Sequence, residues 1–486
     1  MNKEIICQNC QAKLDSKQRS LTCPQCSASQ AEFQIVAPEQ GKVSIDVSKK
    51  GIWRYANFLP DFSKNVSLGE GDTPVRQVSQ IYTDSLNLLL KIEGNNPTGS
   101  FLDRVSPLMV SDAISNNMSS IVCASDGNLG ASLSAYCATE DLNCTCVVPK
   151  STSPEKKVQM IAYGSELIES GEIIDDSLEL AKKMADESTY QATPEFNLLA
   201  VEGTKTIALE IVEQIYLSKN GVLPAIDYII VPMGSGRLVY SVWKGFKQAN
   251  EFGLITKDQL PKIIGVQLKN HDLITKAILA GDDEPKIPTK KSSSKSNRSL
   301  ADAILSTRSL FGVKAIESIR ESGGTAVSVT EKDMIESSKK LAQKEGVFAE
   351  LSSATVIAAV EELVASNYLK KESVVLALIT ASGMKTTQAF ERSTKQHKKV
   401  ESFRSMGTKI EILRIIASGE ANFGYGIWKA LDQSMSLQAV YQHLKELQQA
   451  NHISEIVSTT RQKKYAVTEK GNQLVQKMKE LEELLS

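Results

Sequence analysis

The chain has 486 residues, 41% hydrophobic and 23% charged, with 56 Lys+Arg against 57 Asp+Glu. A net charge of -1 excludes a wholly basic nucleic-acid coat and an acidic disordered chain, and the length implies about three or four structural units. No apolar run reaches the roughly 18 residues a membrane span needs, and Met1-Asn2-Lys3-Glu4 has no signal-peptide character, so a cytoplasmic, reducing setting without membrane association is expected.

Residues 1–40 are short, polar and cysteine-bearing. Cys7-x2-Cys10 and Cys23-x2-Cys26 form two knuckles separated by twelve residues. Two tight turns that each present two thiolates suit one tetrahedral Zn²⁺ with no open position, so a structural zinc ribbon is expected. Cys123, Cys137, Cys144 and Cys146 lie in apolar surroundings and read as small core residues.

Residues 41–385 alternate apolar runs with amphipathic stretches. Ser120–Ala124, Tyr228–Pro232 and Val374–Ile379 are short, β-rich and free of charge, as strands buried on both faces should be. Glu202–Tyr216 and Thr330–Lys344 carry helical patterning. The alternation predicts an α/β fold with mainly parallel sheets. The Lys/Ser-rich stretch Asp282–Arg298 reads as an exposed, mobile insertion.

Four loops rich in Gly, Ser, Thr and Asn follow strand-like runs: Gly69–Pro74, Asn96–Phe101, Ala124–Asn128 and Pro232–Arg237. Glycine turns that open helices can present backbone N–H groups to an anion. Four of them together predict a ligand cleft at the carboxyl ends of the strands.

These phrases, with Lys91-Ile92-Glu93, Glu202-Gly203-Thr204-Lys205-Thr206-Ile207, Gly346-Val347-Phe348 and Ser352-Ser353-Ala354, resemble threonine synthase. That family has the fold-type II architecture of pyridoxal phosphate (PLP) enzymes, and the resemblance spans residues 1 to about 388. It implies a two-subdomain α/β core at 41–385 behind the ribbon. It also implies that Asn128 bonds the cofactor's phenolic oxygen, that Gly234, Ser235 and Gly236 cradle its phosphate, and that Thr380 lies near its pyridine nitrogen. Ser125, Asp126 and Gly127 would hold a substrate or effector carboxylate, with Ser100 on the same side. The family's motif continues after Ser-Phe with the lysine that forms the Schiff base, and here Ser100-Phe101 is followed by Leu102. Leucine can neither make that bond nor move a proton. Lys91, Lys205 and Lys385 lie in neighbouring motif segments as alternative amines, and Arg237 stands where a small residue is usual. A degenerate pocket is expected, open to non-covalent PLP or to an amino-acid or phosphate ligand.

A polar segment at 386–405 reads as a linker. Residues 406–486 then run helix, helix, helix, short β-rich segment, helix, which predicts a winged helix-turn-helix. Gln438, Tyr441, Gln442 and Lys445 share the polar face of the third helix and suit base edges. Arg461, Lys463 and Lys464 crowd a hairpin tip and suit phosphates. Gly424-Tyr425-Gly426-Ile427, Val440–Leu447 and Lys464–Gly471 resemble the PadR-type repressors, which implies DNA binding as a homodimer. The expected whole is a ligand-sensing regulator built on a silent synthase-like core. The alternative is an active threonine synthase or related lyase acting on O-phosphohomoserine.

Overall fold

The computed structural model describes residues 2–29, 31–36, 43–82, 86–218, 223–286, 302–305, 309–388, 397–431, 435–456 and 463–485. Most of the expected insertion and Arg461 lie outside them. The chain forms two compact units, Met1–Phe390 and Glu391–Ser486.

The first unit opens with β1 (Asn2–Cys7), β2 (Lys13–Leu14) and β3 (Ala31–Val36), an antiparallel sheet in the order β2-β1-β3. The two knuckles are built alike. The amide of Gln11 donates to the Cys7 carbonyl at 2.8 Å and that of Ser27 to the Cys23 carbonyl at 2.9 Å, and both residues have positive φ.

The core holds two sheets. β4 (Val75–Gln77), β5 (Asn87–Ile92), β10, β11, β12 and β13 make the larger one. In sequence between β5 and β10 come α1 (Ser106–Ser115), β6 (Ser120–Ala124), α2 (Asn128–Ala138), β7 (Asn143–Val148), α3 (Pro154–Ala162), β8 (Glu166–Glu169), α4 (Ile174–Met184), β9 (Thr189–Gln191) and α5 (Leu199–Val212). The remaining elements of this unit are β10 (Tyr228–Pro232), α6 (Arg237–Glu251), β11 (Lys262–Leu268), α7 (Leu273–Ala280), α8 (Gly312–Glu321), β12 (Thr325–Val329), α9 (Glu331–Glu345), α10 (Leu351–Ala365) and β13 (Val374–Ile379).

The larger sheet runs β12-β11-β10-β13-β5-β4, parallel except for β4. The smaller runs β8-β7-β6-β9 and is parallel throughout. The three apolar runs read from the sequence are β6, β10 and β13, residue for residue. Side chains alternate across a strand, so such a run must serve two cores. In β13, Leu376 and Leu378 face one cluster, while Val375, Ala377 and Ile379 face another. Cys123, Cys137, Cys144 and Cys146 are buried among the apolar side chains of the smaller subdomain.

The second unit contains α11 (His397–Ser418), α12 (Gly424–Ala430), α13 (Leu437–Gln449), β14 (Ile453–Ile456), β15 (Lys464–Val467) and α14 (Glu469–Leu485). β14 and β15 are an antiparallel pair. Ile412, Leu413, Ile427, Val440, Leu444 and Leu447 form its core. α11 begins inside the segment expected to be a linker, so helix already occupies the second half of 386–405.

Candidate functional site

The carboxyl ends of the strands meet around one cavity. Ala124 closes β6, Pro232 closes β10 and Thr380 follows β13, and all three line it with Leu102, Asn128, Gly234, Ser235, Arg237 and Glu350. The loops expected to converge do so because parallel strands place all their following loops at one edge.

Leu102 sits in a one-turn 3-10 helix, Phe101–Arg104, and is 9% exposed. Its neighbours are clamped. The Phe101 amide donates to the Thr380 carbonyl at 2.9 Å. Asp103 accepts from the Thr98 amide at 2.7 Å and from the hydroxyls of Thr98 and Ser132 at 2.6 Å each. Burial pushes the Asp103 carboxyl up, against these hydrogen bonds. Fully buried Arg104 donates to Glu93 at 2.7 and 2.8 Å and to Glu210 at 2.8 and 3.0 Å. Burial works against ionised Glu93, but the Arg104 guanidinium outweighs it and holds this carboxyl below its usual range. The backbone around position 102 is thus rigidly held, and the side chain it aims at the cavity is a hydrocarbon.

None of the three lysines considered from sequence lines the cavity. Lys91 donates to Glu210 at 2.5 Å, to the Thr73 carbonyl at 2.7 Å and to Gln214 at 2.9 Å. Lys205 pairs with Glu202 on its own helix. Lys385 donates to Gln159 at 2.6 Å, and burial, partly offset by Asp103 and Glu350, pulls it down to about 8. Lys156, fully buried, is linked to the cavity through Glu350, with which it pairs at 2.8 Å.

Glu350 was not singled out from sequence, although it stands just before the Ser352-Ser353 phrase. It also accepts from Asn128 Nδ2 at 2.9 Å. That bond fixes the amide and leaves Asn128 Oδ1 buried without a partner. Ser352 Oγ on the cavity wall is buried and partnerless as well, and so is Ser100 Oγ. Ser125 Oγ accepts from the amides of Gly127 and Gly130 at 2.9 Å, leaving its O–H to offer a ligand. Thr380 Oγ1 shares a 2.7 Å hydrogen bond with Ser353.

Asp126 lines the cavity too, whereas Gly127, Gly236 and Ser100 do not. Gly127 has φ +117°, and a Cβ there would fall 2.4 Å from Lys156 Cδ. Gly236 has φ +96°, and a Cβ there would fall 2.8 Å from the Phe311 carbonyl oxygen. Both glycines shape their loops from behind. Arg237, first residue of α6, is the one cation among the described residues that line the cavity, with the acids Asp126, Glu195 and Glu350. Its Nε and Nη1 are buried and have no hydrogen-bond partner.

The four knuckle sulfurs lie within 4.8 Å of one another, with Cys7 to Cys26 at 3.6 Å and Cys10 to Cys23 at 3.8 Å. A tetrahedron of bonds near 2.3 Å has edges of about 3.8 Å, so this spacing suits one ion with four sulfur ligands. In the second unit, Gln438, Tyr441, Gln442 and Lys445 are all exposed along α13. Lys463 pairs with Glu455 at 3.1 Å, and Lys464 is half-buried in β15.

Two sheets facing one cavity, with glycine and asparagine loops at their carboxyl ends, define a fold-type II architecture. Residues 66–381 match the family model described as "Pyridoxal-phosphate dependent enzyme", and the chain belongs to that family. The threonine synthase of Methanocaldococcus jannaschii is 34% identical over 74% of this chain and 87% of its own length. That of Methanosarcina acetivorans is 30% identical over 79% of this chain and 92% of its own. A fungal L-serine ammonia-lyase from Rhizomucor miehei has a similar fold, with a TM-score of 0.56, 19% identity and coverage of 66% of this chain and 96% of its own.

The cavity suits PLP as a reversibly held ligand. The Gly234–Ser235 loop and Nε and Nη1 of Arg237 offer N–H donors to a phosphate, and Asn128, Ser352 and the Thr380–Ser353 pair offer polar atoms to a ring. It does not suit a covalent anchor, because Leu102 supplies no amine and none of the lysines just described lines the cavity.

Proposed function

We propose that this chain is a catalytically silent relative of threonine synthase whose cavity senses an amino acid, a phosphorylated amino acid or PLP, and whose second unit binds DNA. The observation that carries the reading is Leu102. Its clamps, Asp103 and Arg104, keep a full set of buried partners, while the side chain they aim into the cavity cannot form or break a bond. When bound to an amine, PLP withdraws electrons from the substrate carbon, and a lysine is the group that relays the protons. Here Asn128, Ser125 and Ser352 bind and orient, and no amine at position 102 moves a proton.

The order helix, helix, helix, hairpin, helix in the second unit supports a winged helix, with α13 exposing Gln438, Tyr441, Gln442 and Lys445 as readers of a DNA groove. Lys463 and Lys464 would meet phosphates at the wing. The ribbon would hold a structural zinc through Cys7, Cys10, Cys23 and Cys26, and the working form would be a cytoplasmic homodimer. Selection of bound duplexes from a random pool, with and without each ligand, tests this function. A ligand-dependent shift in affinity supports it, and no sequence-selective duplex under any condition refutes the DNA arm.

A second reading is supported by the two threonine synthases at 30–34% identity. In it the chain still releases phosphate from O-phosphohomoserine. Phosphate release above a heat-inactivated control, with a borohydride-trapped pyridoxyl-lysine, would establish it over the first.

A further inference from the structure

We infer that Arg237 is an ionic anchor for a small phosphomonoester, which this chain holds reversibly in place of a covalent bond. The inference deepens the silent-pocket reading and rests on it. Three observations converge on the residue. First, Nε and Nη1 of Arg237 are buried and lack partners, although a guanidinium cannot shed its charge to escape that position. Burial disfavours this cation, and Glu195, another lining residue, offsets the effect only in part. Second, Arg237 opens a helix of 15 residues, and no side chain caps its N-terminus, so a positive dipole end lies at the same residue. Third, the wall around it is uncharged or acidic, which leaves Arg237 as the one described lining group that attracts an anion.

Two buried donors of a permanent cation left without a partner are costly, and a bound anion would complete them. A phosphomonoester carries nearly two negative charges near neutral pH and three acceptor oxygens. It can take charge-assisted N–H bonds from the guanidinium and further bonds from the Ser235 region. The site has therefore lost its cation at position 102 and carries one at position 237. Its ligand is held by its phosphate and reads the remaining wall, Asn128 Oδ1 and Ser352 Oγ, with its other end.

The test uses the full-length, zinc-loaded protein, its R237Q and R237K variants, and four probes: pyridoxine 5'-phosphate, pyridoxal, inorganic phosphate and succinate. Pyridoxine 5'-phosphate has the phosphate and no aldehyde; pyridoxal has the aldehyde and no phosphate. Calorimetry should show the wild type binding pyridoxine 5'-phosphate at least ten-fold more tightly than pyridoxal. R237Q should erase that difference, and R237K should restore part of it. Without ligand, R237Q should melt no lower than wild type, since an unpaired charge has gone; a purely structural arginine would make it melt lower. Inorganic phosphate should raise the melting temperature of wild type and leave R237Q unchanged, whereas succinate should do nothing to either. Equal affinity of R237Q and wild type for pyridoxine 5'-phosphate overturns the inference. So does pyridoxal binding as tightly as pyridoxine 5'-phosphate, or succinate acting like phosphate. The silent-pocket reading fails on a different result, a borohydride-trapped pyridoxyl-lysine in wild type treated with PLP.

Discussion

Restoring an amine at position 102 tests whether the fold still aims this side chain at a reactive place. Leu102 is 9% exposed, so Leu102→Lys forfeits most of the roughly 1.5–3 kcal/mol that a buried leucine contributes. The lysine stem recovers much of that contact, and its ammonium reaches a cavity lined by the carboxylates of Asp126 and Glu350. The net loss should be about 1–2 kcal/mol. At about 2.1 cal/mol/K of unfolding entropy per residue, spread over Met1–Phe390, that lowers Tm by about 1–3 °C. The variant should then take up PLP covalently. Borohydride reduction followed by peptide mass spectrometry should find a single pyridoxyl adduct at residue 102, absent from wild type. Neutral amine is the reactive form, so adduct yield at a fixed short time should rise up to about ten-fold per pH unit below the lysine's pKa. A variant that melts within a few degrees of wild type yet forms no adduct at 102 refutes the placement of this side chain.

Four further outcomes follow from the structure. Glu210→Gln removes a partner of both Arg104 and Lys91 and leaves buried positive charge uncompensated; it should cost about 3–5 kcal/mol in denaturant unfolding, and a loss below about 1 kcal/mol would contradict the network. Glu32 is held down to about 2 by Lys244 and Lys314 against the opposing effect of burial. Its folded value is depressed, so its stabilisation, of order 3 kcal/mol, is present above about pH 4.5 and fades as pH falls toward 2; Glu32→Gln should flatten acid unfolding across that window. A chelator, or Cys10→Ser, should release zinc and expose the ribbon to proteolysis ahead of the sheets, and unchanged cleavage would argue against a structural ion. Lys445→Ala together with Gln442→Ala should weaken selected-duplex binding at least ten-fold without shifting Tm, since both side chains are exposed.

Where neighbours along the chain decide the outcome, the amino-acid sequence was sufficient. β6, β10 and β13 are short, charge-free, β-rich runs, and that length and composition fit strands covered on both faces. The two CxxC turns close with the same backbone bond because five consecutive residues suffice to form it. The absence of an amine at position 102 is likewise a property of one letter in a motif.

What needed tertiary structure was everything set by residues far apart in sequence. Glu350 meets Asn128 and Lys156 across more than 190 positions, and no local pattern marks an acid as the partner that fixes an amide. Lys91, Lys205 and Lys385 look available in their motifs, yet each is turned to a partner outside the cavity. Gly127 and Gly236 are expected from sequence to meet a ligand, and the fold adds that Lys156 and Phe311 leave no room for a Cβ at either. Arg237 has the opposite character: its chemistry is legible in one letter, but only the fold shows that its Nε and Nη1 are buried with no hydrogen-bond partner. The physical reason is that a strand or turn is stabilised by bonds within a few residues, whereas the ionisation, pairing and exposure of a side chain depend on whatever the folded chain packs against it.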